Sequence, residues 1–336
     1  MSTTTELTST DTSARMTDGM TDADGEVEHQ QVFPGATRGF LPELAALAVV
    51  IVWGSTFTLT KSTYTEIAPL AFGFARFIII PVIAFAVLII QARRTDQPNW
   101  WRIKRQDLPL FVLTGVCGYT FYQLGFMLGL AHTSPFSGSL MISLQPIVTL
   151  GIVTLLGERQ PLLVWVGVLV SLAGVAMFLA NGDGESQLLG NVISFAGGAS
   201  FAVYQVFNRR LIRDYPPTTY SAYSTLFGAI PLLVICTPGA MRQDWGAIST
   251  QSWLTLAYMC VFPVYLAYIV WGWVIGKRGV AISGLTLLVP VVAGVIAVLF
   301  FNEAFGPQKL FGGALALAGL LVVQQANRLA QTRRAA

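Results

Sequence analysis

From residue 40 onward the chain reads as ten apolar stretches separated by short polar connections. They fall near 41–60, 69–91, 108–131, 134–156, 162–180, 188–208, 217–237, 253–275, 280–301 and 307–326. A bilayer core about 30 Å thick needs about 20 residues of α-helix at 1.5 Å per residue. The pattern therefore predicts an all-α membrane protein of ten transmembrane helices. Residues 1–39 break the pattern: they are rich in Ser, Thr, Asp, Glu and Gly, with no apolar run and no signal-peptide cleavage pattern. Such a composition predicts a disordered acidic tail. Residues 328–336 predict a short basic tail.

Composition agrees with the pattern. Apolar residues make up 54% of the chain and charged residues 11%, against about 25% charged in soluble domains. The mean hydropathy is +0.63. So few charges cannot cover a water-exposed surface, which excludes a cytosolic enzyme, a secreted domain and a nucleic-acid binder. The net charge of +3 averages two unlike parts, −5 over residues 1–39 and +8 over the rest. Lys and Arg then set orientation. With the N-terminus in the cytoplasm, fifteen basic residues fall on inner connections and tails, and three (Lys61, Arg242 and Lys309) fall outside. Both termini are expected in the cytoplasm, with the chain in a bacterial or archaeal plasma (inner) membrane.

The second half copies the first at low similarity. A shift of 145 residues aligns Glu158 with Glu303, Gly167 with Gly312, Gly174 with Gly319, Leu140 with Leu285 and Ser55 with Ser200. The two copies, 40–182 and 183–327, hold five stretches each. An odd number makes the second copy enter the membrane from the opposite face, an inverted-topology repeat as in many secondary transporters.

Within this frame "VWGSTFTLTK" (52–61), "PLAFGFARF" (69–77) and "LGERQP" (156–161) stand in a fixed order. Their order, spacing and duplication resemble the drug/metabolite transporter superfamily, specifically its EamA branch, over about residues 41–326. The resemblance implies ten-helix exporters or exchangers of small metabolites such as amino acids, nucleobases and sugars. It does not name the substrate. The chain departs from the pattern in its long acidic tail and in Asn302, where the first copy has Gly157.

Polar side chains inside lipid are costly and face the bundle or a water-filled cavity. The fourth stretch carries Ser137, Met141 and Gln145 on one face, and the shift of 145 places Thr286 on the matching face of the ninth. The third has Tyr119, Tyr122 and Gln123; the sixth Tyr204 and Gln205; the eighth Tyr265, Tyr268 and Trp271; the first Trp53. Rings with a few amides and hydroxyls suit a small amphipathic organic solute. The alternative is that the stripes pack helix against helix. Gln145, Tyr204 and Tyr268 lead the candidates for substrate contact. Gly125 and Gly129 form GxxxG, which reads as close helix packing within a monomer or as the face of a weak homodimer.

Four charges stand out. Arg76 is the one basic residue well inside a stretch; it reads as a carboxylate contact or as a group bound to backbone carbonyls or snorkelling outward. Lys61 reads as a gate contact or a snorkelling side chain. Glu158 and Glu303 precede Pro161 and Pro307 and read as helix caps or as a symmetric pair of gate contacts. No Asp or Glu lies at the middle of a stretch, so proton coupling has no obvious seat. Cys117, Cys236, Cys260, His29 and His132 are scattered and suggest neither disulfides nor a metal site. No Walker, HExxH or paired DxxxD motif is present, so no cofactor is expected. A secondary transporter is the leading reading; a polytopic enzyme or a channel is the alternative. Substrate and lipid are the expected partners, with no nucleic acid.

The topology is open to test. Cysteine introduced at Gln187 is expected to react with impermeant reagent from outside intact cells, and cysteine at Lys104 only after the membrane is opened. The reverse pattern overturns the orientation.

Overall fold

The computed structural model describes residues 40–94, 101–180, 185–278, 280–301 and 306–335. The described residues are mostly helical, joined by short turns, with no strand among them. The helices are α1 (Leu41–Thr63), α2 (Pro69–Arg94), α3 (Leu108–Gly115), α4 (Tyr122–His132), α5 (Pro135–Ile142), α6 (Gln145–Leu155), α7 (Leu162–Leu179), α8 (Glu185–Asp214), α9 (Pro217–Arg242), α10 (Thr250–Val261), α11 (Ala267–Arg278), α12 (Val289–Phe301) and α13 (Pro307–Ala335). Seven helical stretches are long and apolar enough to cross a bilayer: Leu41–Thr63, Pro69–Arg94, Arg105–His132, Pro135–Leu155, Leu162–Leu179, Pro217–Arg242 and Pro307–Leu329. The remaining three predicted stretches are helical but differ from that pattern for visible reasons. α8 runs for 30 residues but carries Asn191, Ser194, Gln205 and Asn208. The eighth is divided into α10 and α11, and the ninth begins as 3₁₀ helix over Val280–Leu288 before α12.

The interruptions follow from backbone chemistry. Val116–Phe121, between α3 and α4, is π-helical, and so is Phe262–Leu266, between α10 and α11. A π-helical turn displaces the regular ladder and turns a carbonyl outward. Here neighbouring helices supply the donors. Ser200 Oγ of α8 donates to the Cys117 carbonyl at 2.9 Å, and Trp53 Nε1 of α1 donates to the Pro263 carbonyl at 3.1 Å. Between α5 and α6 the chain turns at Ser143 and Leu144, just before Pro146, whose missing N–H cannot serve the Ile142 carbonyl.

Small residues set the packing. α7 lies along α13, α2 along α9 and α4 along α8. A side chain at Gly167 would meet the Gly319 carbonyl, one at Gly174 the Ala316 amide, and one at Gly312 the Gly174 carbonyl. Contacts that climb α7 therefore descend α13, so the pair is antiparallel. The Gly125–Gly129 motif is absorbed the same way, against Gly197 and Gly190 of α8. Larger buried groups, including Phe57, Phe72, Phe77, Phe126 and Met127, fill the space between α1, α2 and α4. The connection α1–α2 is tied to the connection α9–α10: Gln243 Nε2 donates to the Glu66 carbonyl at 2.9 Å, and the Ser249 amide donates to Glu66 Oε2 at 2.8 Å. That amide, with the Ser249 and Ser252 hydroxyls, holds the Glu66 carboxyl below its usual range.

Gly174→Ala is expected to destabilise the protein by about 1–3 kcal/mol, because backbone stands on the far side of the added carbon. Gly151→Ala, with nothing within 4 Å of the new carbon, should instead be neutral or stabilising by up to about 1 kcal/mol. Unfolding midpoints in detergent check both; equal effects would contradict the packing.

Candidate functional site

The interruptions converge on one cavity of about 440 Å³. Its wall includes Trp53, Thr56 and Phe57 of α1, Arg76 of α2, Tyr122, Gln123 and Phe126 of α4, and Gln145 with Pro146 at the start of α6. α8 contributes Phe201 and Gln205, α11 Trp271, and α13 Gln324; Pro263, Thr286, Leu287 and Val289 complete much of the rest. The irregular backbone at Ser143, at Pro263 and at Thr286–Leu287 thus borders the cavity, where such backbone is tolerated in a membrane interior.

The rings on the wall form contact pairs. Trp53 and Trp271 have centroids 5.3 Å apart, and Tyr122 and Phe201 are 4.7 Å apart. Phe57 meets Phe126 edge-on at 5.1 Å and narrows the chamber beside α4. The Trp53 nitrogen is committed to the Pro263 carbonyl, so its ring face rather than its N–H is offered to the cavity. Arg76 is 6% exposed, and its guanidinium carbon lies 5.8 and 5.9 Å from the ring centroids of Phe72 and Phe77. Cation–π attraction of this kind offsets part of the cost of burying the charge.

Three amide oxygens complete the chemistry. Gln123 Oε1, Gln145 Oε1 and Gln324 Oε1 are buried and find no hydrogen-bond donor among the described residues. Buried polar groups in native proteins are almost always paired. All three side chains border the cavity, so each can accept a hydrogen bond from a group placed there. Thr149 Oγ1 donates to Gln205 Oε1 at 3.4 Å, which sets the second α8 contact beside α6.

Of the residues expected from the sequence, the structure brings Trp53, Arg76, Tyr122, Gln123, Gln145, Gln205, Trp271 and Thr286 to this wall. It places four others elsewhere. Tyr119 and Tyr204 pack edge-on at 6.0 Å between the π-helical turn Val116–Phe121 and α8, with Tyr204 against Gly118. Ser137 is 1% exposed and donates its amide to Ser134 in the first turn of α5. Met141 is buried with Phe136, Leu140 and Phe178. The side chains of Tyr265 and Tyr268, and all of Glu303 and Asn302, lie outside the described residues. Gln324, Ser143 and Pro263 were not expected. Gln324 has a signal in "LLVVQQAN", a polar pair inside an apolar run, but that stretch is dominated by its glycines.

The flanking charges are resolved individually. Lys61 Nζ donates to the carbonyls of Leu130 and Ala131 at 2.7 and 3.0 Å, near the C-terminus of α4, where a cation is favoured. Glu158 does not cap α7, which is a correction to that expectation. The helix begins at Leu162 behind Pro161 with no side-chain cap, and Glu158 stands too far upstream; it meets Arg209 of α8 at 3.3 Å instead. Arg278 Nη2 donates to Glu43 Oε2 at 3.1 Å, and Arg210 Nη2 to Asp107 Oδ1 at 3.0 Å.

Comparison with known proteins places this geometry. Residues 40–180 and residues 188–324 each match the model described as the EamA-like transporter family. A Bacillus subtilis protein named "Uncharacterized transporter YyaM" is 27% identical over 294 residues, 84% of this chain and 93% of its own. A Salmonella typhimurium protein named "Probable amino-acid metabolite efflux pump" is 27% identical over 311 residues, 88% and 97% of the two chains. A Streptantibioticus cattleyicolor protein named "Probable terminal-alkyne amino-acid exporter" is 24% identical over 284 residues, 84% and 92%. A solved crystal structure at 22% identity covers 84% of this chain and 97% of its own with a TM-score of 0.58, a likeness of fold.

Gln145→Leu separates a ligand contact from a structural one. Removing an unpaired buried oxygen should leave the unfolding midpoint unchanged or raise it, since such a group costs about 1–3 kcal/mol. Flux should fall about tenfold, the value of one lost hydrogen bond. A variant that transports normally at normal expression would place Gln145 outside the binding site.

Proposed function

We propose, from the premise that the chain belongs to the EamA-like transporter family, that it is a secondary transporter of a small amphipathic metabolite of amino-acid type. It works by alternating access in the plasma membrane, as an exporter or exchanger. The carrying observation is the cavity, which brings together a buried arginine, three amide oxygens with no donor among the described residues, and aromatic rings. A guanidinium binds a carboxylate bidentately. Amide oxygens accept hydrogen bonds from an ammonium. The rings give apolar contact to a side chain between them. An amino-acid zwitterion has all three complements. The names of the Salmonella and Streptantibioticus relatives support the same class.

The proposed architecture is ten spans in two inverted repeats, with both termini in the cytoplasm. Three features support it. The family model matches the chain twice, once per half. The π-helical turns recur at Val116–Phe121 and Phe262–Leu266, close to the sequence offset of 145. The helix pairing also exchanges under that shift. Gly167 meets Gly319 while Gly174 meets Gly312, and the shift maps Gly167 onto Gly312 and Gly174 onto Gly319. Reciprocal contact between antiparallel copies is the mark of a two-fold axis across the pair, here in the membrane plane.

Arg76 is the deciding residue for the carboxylate. In proteoliposomes, Arg76→Gln is expected to reduce counterflow of an amino acid at least tenfold and to leave its carboxamide analogue within about twofold. Arg76→Lys should restore part of the acid flux. Equal loss for both analogues would remove the carboxylate contact, and absence of saturable counterflow by the wild-type chain would remove the transporter reading.

A further inference from the structure

A second cavity lies apart from the central one, at the end of α8. It has a volume of about 460 Å³ and is bordered by Leu110, Leu156, Phe207, Arg209, Arg210 and Arg213. We propose that it binds the phosphodiester headgroup of an anionic phospholipid, with the acyl chains running down its apolar side. The proposal does not rest on the substrate assignment, only on the chain lying in a bilayer.

Two observations fix the depth of this cavity. Leu155 is 90% exposed, Leu156 61% and Ile212 51%. Large apolar side chains exposed to that degree in a membrane protein face acyl chains. The arginines stand at the end of α8, beside the polar connections α2–α3 and α6–α7. An apolar wall topped by guanidinium groups matches the boundary between chain and headgroup, where basic pockets between helices hold anionic lipid heads.

The donor set suits a phosphodiester. The arginines each meet carboxylates through only part of the guanidinium: Arg209 through Nη1 to Glu158, Arg210 through Nη2 and Nε to Asp107 and Asp214, Arg213 through Nε to Asp214. A guanidinium carries five N–H donors, so donors remain on all three. Their side chains are 58%, 57% and 79% exposed. Exposed pairs of this type are weakly held and exchange partners readily. The surrounding connections add Lys104, Arg105 and Arg159, so the local field is positive and favours an anion over a zwitterionic lipid. Arg210 also has a framework role, because its partner Asp107 accepts a hydrogen bond from Tyr215 Oη at 2.6 Å. Arg209 and Arg213 are thus the residues that can be changed without disturbing the helix end.

The test uses the full chain purified in neutral detergent. Thermal unfolding is followed with phosphatidylglycerol, phosphatidylcholine or inorganic phosphate added, and bound lipid is counted by native mass spectrometry. Phosphatidylglycerol is expected to raise the midpoint; phosphatidylcholine and inorganic phosphate are expected to do so much less. Arg209→Gln with Arg213→Gln should weaken the phosphatidylglycerol effect about tenfold and remove one bound lipid, with the lipid-free midpoint unchanged. Arg209→Lys with Arg213→Lys serves as the charge-preserving control and should retain most of the effect. An undiminished response in the double glutamine variant overturns the proposal. So does an equal response to phosphatidylcholine, or to phosphate alone. A lipid response that appears only after deletion of residues 1–35 also overturns it.

Discussion

The backbone must satisfy its own polar groups where water is absent, and the rest of the structure follows from that constraint. Regular helix meets it within each segment. The π-helical turns do not, and each is completed by a side chain from another helix: Ser200 serves the Cys117 carbonyl and Trp53 the Pro263 carbonyl. Both donors come from the other family-matched half. Both π turns are therefore held by bonds between the halves.

Two kinds of helix contact divide the work. α7 and α13 meet through glycines, with backbone against backbone and no side chain free to change rotamer. Such a seam resists sliding, since any shift drives a carbonyl into a neighbouring amide. α1 and α11 meet through the rings of Trp53 and Trp271 instead, while α4 and α8 combine a glycine contact with the rings of Tyr122 and Phe201. Side-chain rotation there accommodates small displacements.

Much of the fold was legible because hydropathy and helix length are local properties. The break in the ninth stretch and the low apolarity of α8 were not, since a bundle interior hides polar residues that a span facing lipid could not carry. The site was half legible. A polar stripe identifies the inward face of a helix, which is why Trp53, Gln123, Gln145 and Trp271 were found. It does not say whether that face meets a neighbour or a void. Tyr119 and Tyr204 share stripes with cavity residues, yet pack on each other and on Gly118. Gln324 was hidden for the converse reason: it stands on the glycine-rich helix that packs on α7, and the same helix turns another face to the cavity.

The two ends of the bundle close by different physics. At the end rich in Lys and Arg, Glu43–Arg278, Asp107–Arg210 and Glu158–Arg209 each join one half to the other. Most of these side chains are partly exposed, and such pairs contribute about 0–1 kcal/mol each because water replaces either partner. At the opposite end the closure is apolar, with Phe57 against Phe126 and Ile67, Leu130 and Met259 buried around them. Opening that end exposes hydrocarbon at about 25 cal/mol per Å², a much larger cost. On the proposed alternating-access reading, the two ends then differ in energy: the end closed by partly exposed ion pairs is the cheaper to open, and opening the apolar end would have to be offset by contacts with the solute.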